Sequence, residues 1–273
     1  MLAFIHIEAA VGPAVSDILR QSFGLGHCDL VSWRQYGRAH ASPRLADLKH
    51  ALQFYPALES VSGHLVVPHC GYERLRRDIR YFTLLREPLE RSAAQYLEHV
   101  RAMGKEAPPF DGWISQEACR NLMTKKLGGT GNSDDAIQML ETRVGCTGLA
   151  ERLDESLLLI RRWANRPQLD IRSRQLEPSA GDSGRQQLLT DPRSRDALID
   201  ANLEDIRLHL YVANELFPRQ LAGYGSTLPA DLEEFRASNQ ALPRSPWLVP
   251  GLVYRDAVYR RAAQISTAVR RAA

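Results

Sequence analysis

The stretch FIHIEAAVGPAV, residues 4–15, decides how the chain is read. Phe4, Ile5, His6 and Ile7 make a short apolar run of the kind that forms a buried strand. Gly12–Pro13 marks a turn. After it Val15, Ile18, Leu19 and Ser22 recur at spacings of three and four, which predicts a helix over 13–23. A strand that turns into a helix start is the layout of a phosphate-holding loop. The first N–H groups of the helix are unpaired there, and the positive end of its dipole points the same way. The stretch has no lysine and no hydroxyl before Ser16, and it carries Glu8. It reads as a phosphate site, as a former one, or as a plain strand-to-helix turn.

The 273 residues fit one large domain or one domain with an appendage. Apolar residues make up 44%, enough for a core, and the charged fraction of 25% is ordinary. With 35 Lys and Arg against 32 Asp and Glu the net charge is only +3, which does not argue for a nucleic-acid partner. Four of the basic residues are lysines (Lys49, Lys105, Lys125 and Lys126) and the rest are arginines, side chains that grip sulfate, phosphate and carboxylate with two N–H groups at once. Cys28, Cys70, Cys119 and Cys146 lie far apart with no CxxC pair, so no metal site or redox motif is expected. Met1 is followed at once by folded-looking sequence, and no apolar run approaches the ~18 residues of a membrane span. A cytoplasmic, bacterial protein without a transmembrane segment is the default expectation.

Further elements follow from the same rules. HCDLVSW (27–33), SVSGHLVVP (60–68) and RYFTLLREP (80–88) read as strands, the last as a central one ended by Pro88. Ser42 and Pro43 suggest a helix start for 42–58. Helices are expected over 89–103, over 115–127 with a stop at Gly128–Gly129, and over 135–143 with Ser133 or Asp134 as cap. RVGCTGLAE reads as a short strand or turn, and RLDESLLLIRRWA as a helix. Residues 166–192 read as irregular, and 194–217 as a long helix broken at most once. After Gly225 the composition shifts. Pro229, Pro243, Pro246 and Pro250 precede a last helix in which Tyr254, Val258, Ala262, Ile265 and Val269 form one stripe with arginines mostly off it. Strands alternating with helices predict an α/β domain over 1–225 with a mainly parallel sheet flanked by helices. A Pro-containing linker and C-terminal amphipathic helix over 226–273 complete the chain, the helix packing on its own domain or forming a homodimer. An anionic membrane surface or an acidic glycan also suits such a helix.

Five segments carry a resemblance. RYFTLLREPLERSAAQYLEHV (80–100) has a hydrophobic strand, then Arg86, Glu87, Pro88 and Arg91 in the order R-E-P-x-x-R, and then a helix that carries Tyr96. SGHLVVPHCGYERL (62–75) holds a Gly-His pair. NLMTKKLGG (121–129) and GLAERLDESLLLIRR (148–162) follow, and then NLEDIRLHLYVANELF (202–217) with Asn202, Asp205 and Tyr211. In order and spacing these segments resemble the carbohydrate sulfotransferases of the heparan-sulfate 2-O type and their bacterial relatives. The resemblance spans roughly residues 3–220. It implies a P-loop-like sulfotransferase fold that uses 3′-phosphoadenosine 5′-phosphosulfate (PAPS) as donor and a sugar or similar hydroxyl as acceptor, without a metal. It casts His64 as the base that removes the acceptor's proton, a role that suits imidazole near neutral pH. His69 has no equally clear match. Arg86 is cast as the holder of the 3′-phosphate, and Gly12 and Ala14 as positions of the loop that holds the 5′-phosphosulfate.

The chain departs from the family's F-I-H-I-P-K-T-A-G-T-S at the loop itself. Glu8 stands for proline, Ala9 for lysine, Ala10 for threonine, Pro13 for threonine and Ala14 for serine. Removing a donor aimed at a developing charge costs on the order of 3 kcal/mol, and Pro13 removes a backbone N–H besides. The family serine after Arg86 falls on Ala94, and Ser92 faces away from that position on a helix. Three expectations follow. One is a working sulfotransferase in which Lys125, Lys126 or an arginine from 172–185 compensates. Another is a protein of this fold that binds a glycan, an anion or a protein partner without using PAPS. The third is an unrelated P-loop-like enzyme such as a kinase, against which the absent GxxxxGK[ST] argues.

Overall fold

In the computed structural model the described residues are 1–37, 43–75, 78–172, 183–239 and 248–272. Five strands form one parallel sheet: β1 (Leu2–Ile5), β2 (His27–Asp29), β3 (Ser60–Gly63), β4 (Arg80–Leu85) and β5 (Val144–Leu149). Their order is β2-β3-β1-β4-β5, so β1 is central and β4 is an inner strand. All four residues of β1 are buried, as are Val61, Phe82 and Leu84. A parallel sheet is covered on both faces, which is why these strands read as continuous apolar runs rather than alternating ones.

Helices flank the sheet: α1 (Gly12–Phe23), α2 (Leu45–Phe54), α3 (Pro88–Met103), α4 (Phe110–Ile114), α5 (Leu122–Gly128), α6 (Ser133–Thr142) and α7 (Leu153–Ala164). Next come α8 (Ser183–Thr190), α9 (Pro192–Ala201), α10 (Leu203–Tyr211), α11 (Phe217–Tyr224) and α12 (Leu228–Ser238). One main core joins the sheet to α1, α2, α7 and α10. A smaller one unites Ala93, Trp113, Ile114, Cys119, Leu198 and Ala201 where α3, α4 and α9 meet.

Several boundaries differ from expectation for local reasons. The helix expected from Pro43 starts at Leu45, with Arg44 in an extended conformation before it, and Ser42 lies outside the described residues. The α6 cap is Asn132, whose side chain accepts from the Asp134 N–H at 2.7 Å, in place of Ser133 or Asp134. Ser133 instead donates to Glu204. The helix expected over 115–127 is shorter and begins at Leu122, because Asn121 turns left-handed (φ 47°) and lets the Asp205 carboxylate cap α5 from outside. Part of the segment read as irregular is α8. The long helix expected over 194–217 is α9, α10, a π turn at Val212–Leu216 and α11. Residues 173–182 and 240–247, with Pro243 and Pro246, lie outside the described residues. Pro229 sits in the first turn of α12, whose Phe235 is buried.

The C-terminal run comprises α13 (Leu248–Tyr254), a π turn at Arg255–Tyr259 and α14 (Arg260–Ala272). It docks on the domain beside β2. Tyr254 donates to the Phe54 carbonyl at 2.6 Å, Thr267 to the Trp33 carbonyl, and Arg255 reaches Asp29 at 2.8 Å. The buried side is Tyr259, Ala263 and Thr267. The expected single stripe is therefore divided. Tyr254 packs inward, while Val258, Ile265 and Val269 are exposed. A π turn takes one residue more per turn than an α-helix and so shifts the phase of everything after it.

Candidate functional site

The register of the sheet assembles the site. Ile5 lies opposite Gly63 on one side and Thr83 on the other. The next residues along these parallel strands, His6 and His64, therefore emerge side by side, and their rings stack with centroids 4.1 Å apart. Arg86, three residues beyond Thr83, reaches the loop after β1, where its Nη1 donates to the Ala9 carbonyl at 3.0 Å. Ligands of parallel sheets sit at this carboxyl edge, beside the strand from which the chain runs out in opposite directions.

The loop is tightly wound. Ala9 (φ 57°) and Val11 (φ 45°) are both left-handed, a conformation that costs ~1–2 kcal/mol for residues with a Cβ and is unusual for valine. Gly12 opens α1 under the His6 ring. A Cβ there would fall 1.6 Å from His6 Nε2, so only glycine fits. Ala14 is buried and offers the site nothing but backbone.

Glu8 is the hub. Its Oε1 accepts from Lys126 Nζ at 2.7 Å and lies 3.1 Å from His64 Nδ1. His64 Nδ1 also lies 3.3 Å from the His6 carbonyl. The Lys126 ammonium, a donor, lies 3.5 Å from the same nitrogen, but the two acceptor oxygens are nearer, which places the proton on Nδ1 and the lone pair on Nε2. The side chain of Lys126 is 9% exposed and that of His64 51%, so the lysine is packed into the wall while the imidazole stands open. Burial alone would raise the Glu8 carboxyl, but Lys126 and His64 outweigh it and hold it below the usual carboxylate range. Burial lowers Lys126, and Glu8 opposes that shift. Burial, with His64 and Lys126 beside it, lowers His6 to about 3, so His6 is neutral.

A second charge group lies next to the first. Arg86 Nη2 and Arg185 Nε both meet Glu90 Oε2, at 3.3 and 3.2 Å. Two guanidiniums on one carboxylate leave a net positive charge. Glu87 plays a separate part and caps α3 by accepting from the Glu90 N–H.

Of the residues expected at the site, His64, Arg86 and Gly12 come together at one sheet edge. Among the cations considered as compensation, Lys126 and Arg185 arrive there. Lys125 pairs with Glu117 and Arg172 with Asp170, both elsewhere. His69 packs against Gly129 at the end of α5. Glu8 reads in the sequence as an obstruction, and its partnership with Lys126, 118 residues away, has no local signal.

Other residues of the resemblance are fasteners. Arg91 is buried and donates to Asn202 and Gln95. Asp205 lies 3.9 Å from Arg91 and takes the Met123 and Thr124 N–H groups and the Thr124 hydroxyl. This clasp fixes the start of α5, and so aims Lys126 at Glu8. Tyr211 binds Glu141, and Ser156 bonds to the Leu149 backbone.

Among the described residues no group of three or more His, Cys, Asp and Glu is placed to hold a metal ion. No helix among them is long and apolar enough to cross a membrane. Compared with protein-family models and with curated proteins, the chain finds no match in either.

Proposed function

We propose that the chain is a sulfotransferase with an altered donor loop, moving a sulfuryl group from PAPS to a hydroxyl of a carbohydrate or similar acceptor on a P-loop-like α/β fold. The observation that carries this reading is the His64–Glu8–Lys126 chain at the mouth of the loop after β1. A histidine with its inner nitrogen held by a carboxylate and its outer nitrogen open is a base oriented for a hydroxyl proton. Glu8 also steadies the imidazolium that forms. Lys126 restores, from α5, the cation absent at Ala9.

The residues present fit the donor in part. Arg86 and Arg185, net positive with Glu90, suit a 3′-phosphate and offset the serine absent at Ala94. At the 5′ end the groups at hand are the start of α1, beneath the His6 ring, and Lys126, paired with Glu8. When bound, PAPS supplies the activated sulfuryl group. His64 Nε2 takes the acceptor's proton as its oxygen bonds to sulfur. The bond from sulfur to the bridging phosphate oxygen breaks, leaving adenosine 3′,5′-bisphosphate. Lys126 is the cation available to the charge growing on that bridging oxygen.

A second reading has its own support. Glu8 neutralises Lys126, and the His6 ring covers Gly12, so the 5′ subsite is uncharged and partly filled. Such a protein binds an anion or a glycan without transferring anything. The two readings separate on turnover. With PAPS and a panel of unsulfated oligosaccharides, release of the bisphosphate is expected from the natural chain. His64→Asn is expected to lose it by at least ~100-fold while still binding nucleotide, as removal of a general base does. A natural chain that neither binds the nucleotide nor releases the bisphosphate supports the second reading.

A further inference from the structure

The C-terminal run points to a surface independent of the site above. The π turn at Arg255–Tyr259 delays the helical phase by about one residue. Val249 and Val253 before it therefore line up with Val258 inside it and with Ile265 and Val269 after it. All five are exposed, at 63%, 60%, 41%, 58% and 63%. Without the π turn, positions four and eleven residues after Val253 would be Ala257 and Gln264. With it, the strip runs some 30 Å at about 1.5 Å per residue. The opposite side of the same run is spent on the domain through Tyr254, Tyr259, Ala263 and Thr267. The strip is thus not the packing face. It is a second apolar face, turned outward.

Charge decides what fits it. Asp256 is the one acidic residue of the run and pairs with Arg255 and Arg260, which leaves Arg261, Arg270 and Arg271 as the uncompensated charges. Arg261 is exposed within the strip, and Arg270 and Arg271 are exposed near its end. A second copy laid along this half would bring a surface of the same sign. An acidic protein would match the charge, but a strip of valine, isoleucine and alanine without a pocket offers little for side chains to lock into. A flat anionic lipid surface satisfies both features. The apolar strip enters the acyl boundary while the arginines remain among the headgroups.

We infer that the 248–272 run is an interfacial element that docks the folded domain onto anionic membrane lipid. The helix lies in the plane of the surface, and its attachment through Arg255–Asp29 and Tyr254–Phe54 fixes the domain's orientation there. Each arginine near an anionic surface raises partitioning by about fivefold, and the effect falls with salt.

The experiment is vesicle co-sedimentation of the full chain. The probes are phosphatidylcholine vesicles with and without phosphatidylglycerol, at low and high salt. Binding is expected with phosphatidylglycerol, at least tenfold weaker without it and weaker in salt. Ile265→Glu/Val269→Glu and Arg261→Gln/Arg270→Gln/Arg271→Gln are each expected to reduce binding tenfold or more. These side chains are exposed, so an unchanged melting temperature shows that the fold is intact. Equal sedimentation of the variants and the natural chain, or none with phosphatidylglycerol, overturns the inference. So does a dimer in sedimentation equilibrium that Ile265→Glu/Val269→Glu dissociates, since a second copy would then cover the strip.

Discussion

Two arginine–carboxylate assemblies lie on either side of α3's start, and their difference separates structure from site. At one, Arg91 and Asp205 have fully buried side chains 3.9 Å apart, and Asp205 is consumed by α5's first N–H groups and a hydroxyl. At the other, Arg86 and Arg185 share Glu90, and His64 stands open beside Glu8 and Lys126. Both draw on residues from the same short segments. The first is closed: its groups are used up holding helices together. The second is open: it keeps a net positive charge and an unengaged imidazole nitrogen at the edge of the sheet. A resemblance in sequence marks both alike, and only burial and partners tell them apart.

The largest expected effect breaks the closed assembly. Asp205→Ala strands a buried guanidinium and uncaps α5, which is expected to cost ~3–5 kcal/mol in denaturant unfolding. Substituting Arg86 is expected to cost much less stability, because its guanidinium is part exposed. Equal losses at Arg86 and Asp205 would erase the distinction.

Acid acts on the open assembly and on the β2 cluster. Burial lowers His6 to about 3 and also lowers His27. A histidine with a depressed pKa binds fewer protons folded than unfolded. The contribution of His6 is therefore complete above pH 6.5 and declines as pH falls toward about 3, and that of His27 declines in the same sense below pH 6.5. Each such group contributes at most about 1.4 kcal/mol per pH unit. Burial would raise both Glu8 and Asp29, but Lys126 and His64 hold Glu8 low and hydrogen bonds from His27 and Arg20 hold Asp29 low, which adds a further loss below about pH 4.5. Unfolding monitored from pH 7.5 to 4 is expected to show a steady fall that His6→Asn makes shallower above pH 4.5. A flat profile would contradict the burial of these histidines.

The smallest effect concerns the loop between the two histidines. Ala9→Gly relieves a left-handed alanine and is expected to gain up to about 1 kcal/mol, net of the chain entropy glycine adds. A loss of stability would mean that the Ala9 methyl does more than tolerate its turn.

Much of the frame was legible. Continuous apolar runs at Phe4–Ile7 and Tyr81–Leu85 mark inner parallel strands, and Gly12 and Gly128–Gly129 punctuate helices for steric reasons. His64, Arg86 and Gly12 could be placed at one edge because each follows or borders a strand. What was hidden is long-range. The pairing of Lys126 with Glu8 depends on Asp205 capping α5 from α10. The division of the C-terminal stripe depends on a π turn, and an ideal helical period places Tyr254 and Val258 on one face when they lie on two. The Asn132 cap and the late start of α5 are local, but they turn on side-chain choices that several residues in each stretch could have made.

The open assembly stands or falls on nucleotide binding. Thermal unfolding with millimolar adenosine 3′,5′-bisphosphate tests it most directly. At ~100 times its dissociation constant a ligand adds about 2.7 kcal/mol, which for a chain of this size raises the melting temperature by roughly 5 °C or more. We predict that rise for the natural chain and its loss in Arg86→Ala and Arg185→Ala, with each variant compared with itself without nucleotide. An unchanged melting temperature in the natural chain at millimolar bisphosphate would contradict the assignment of this edge as a donor site.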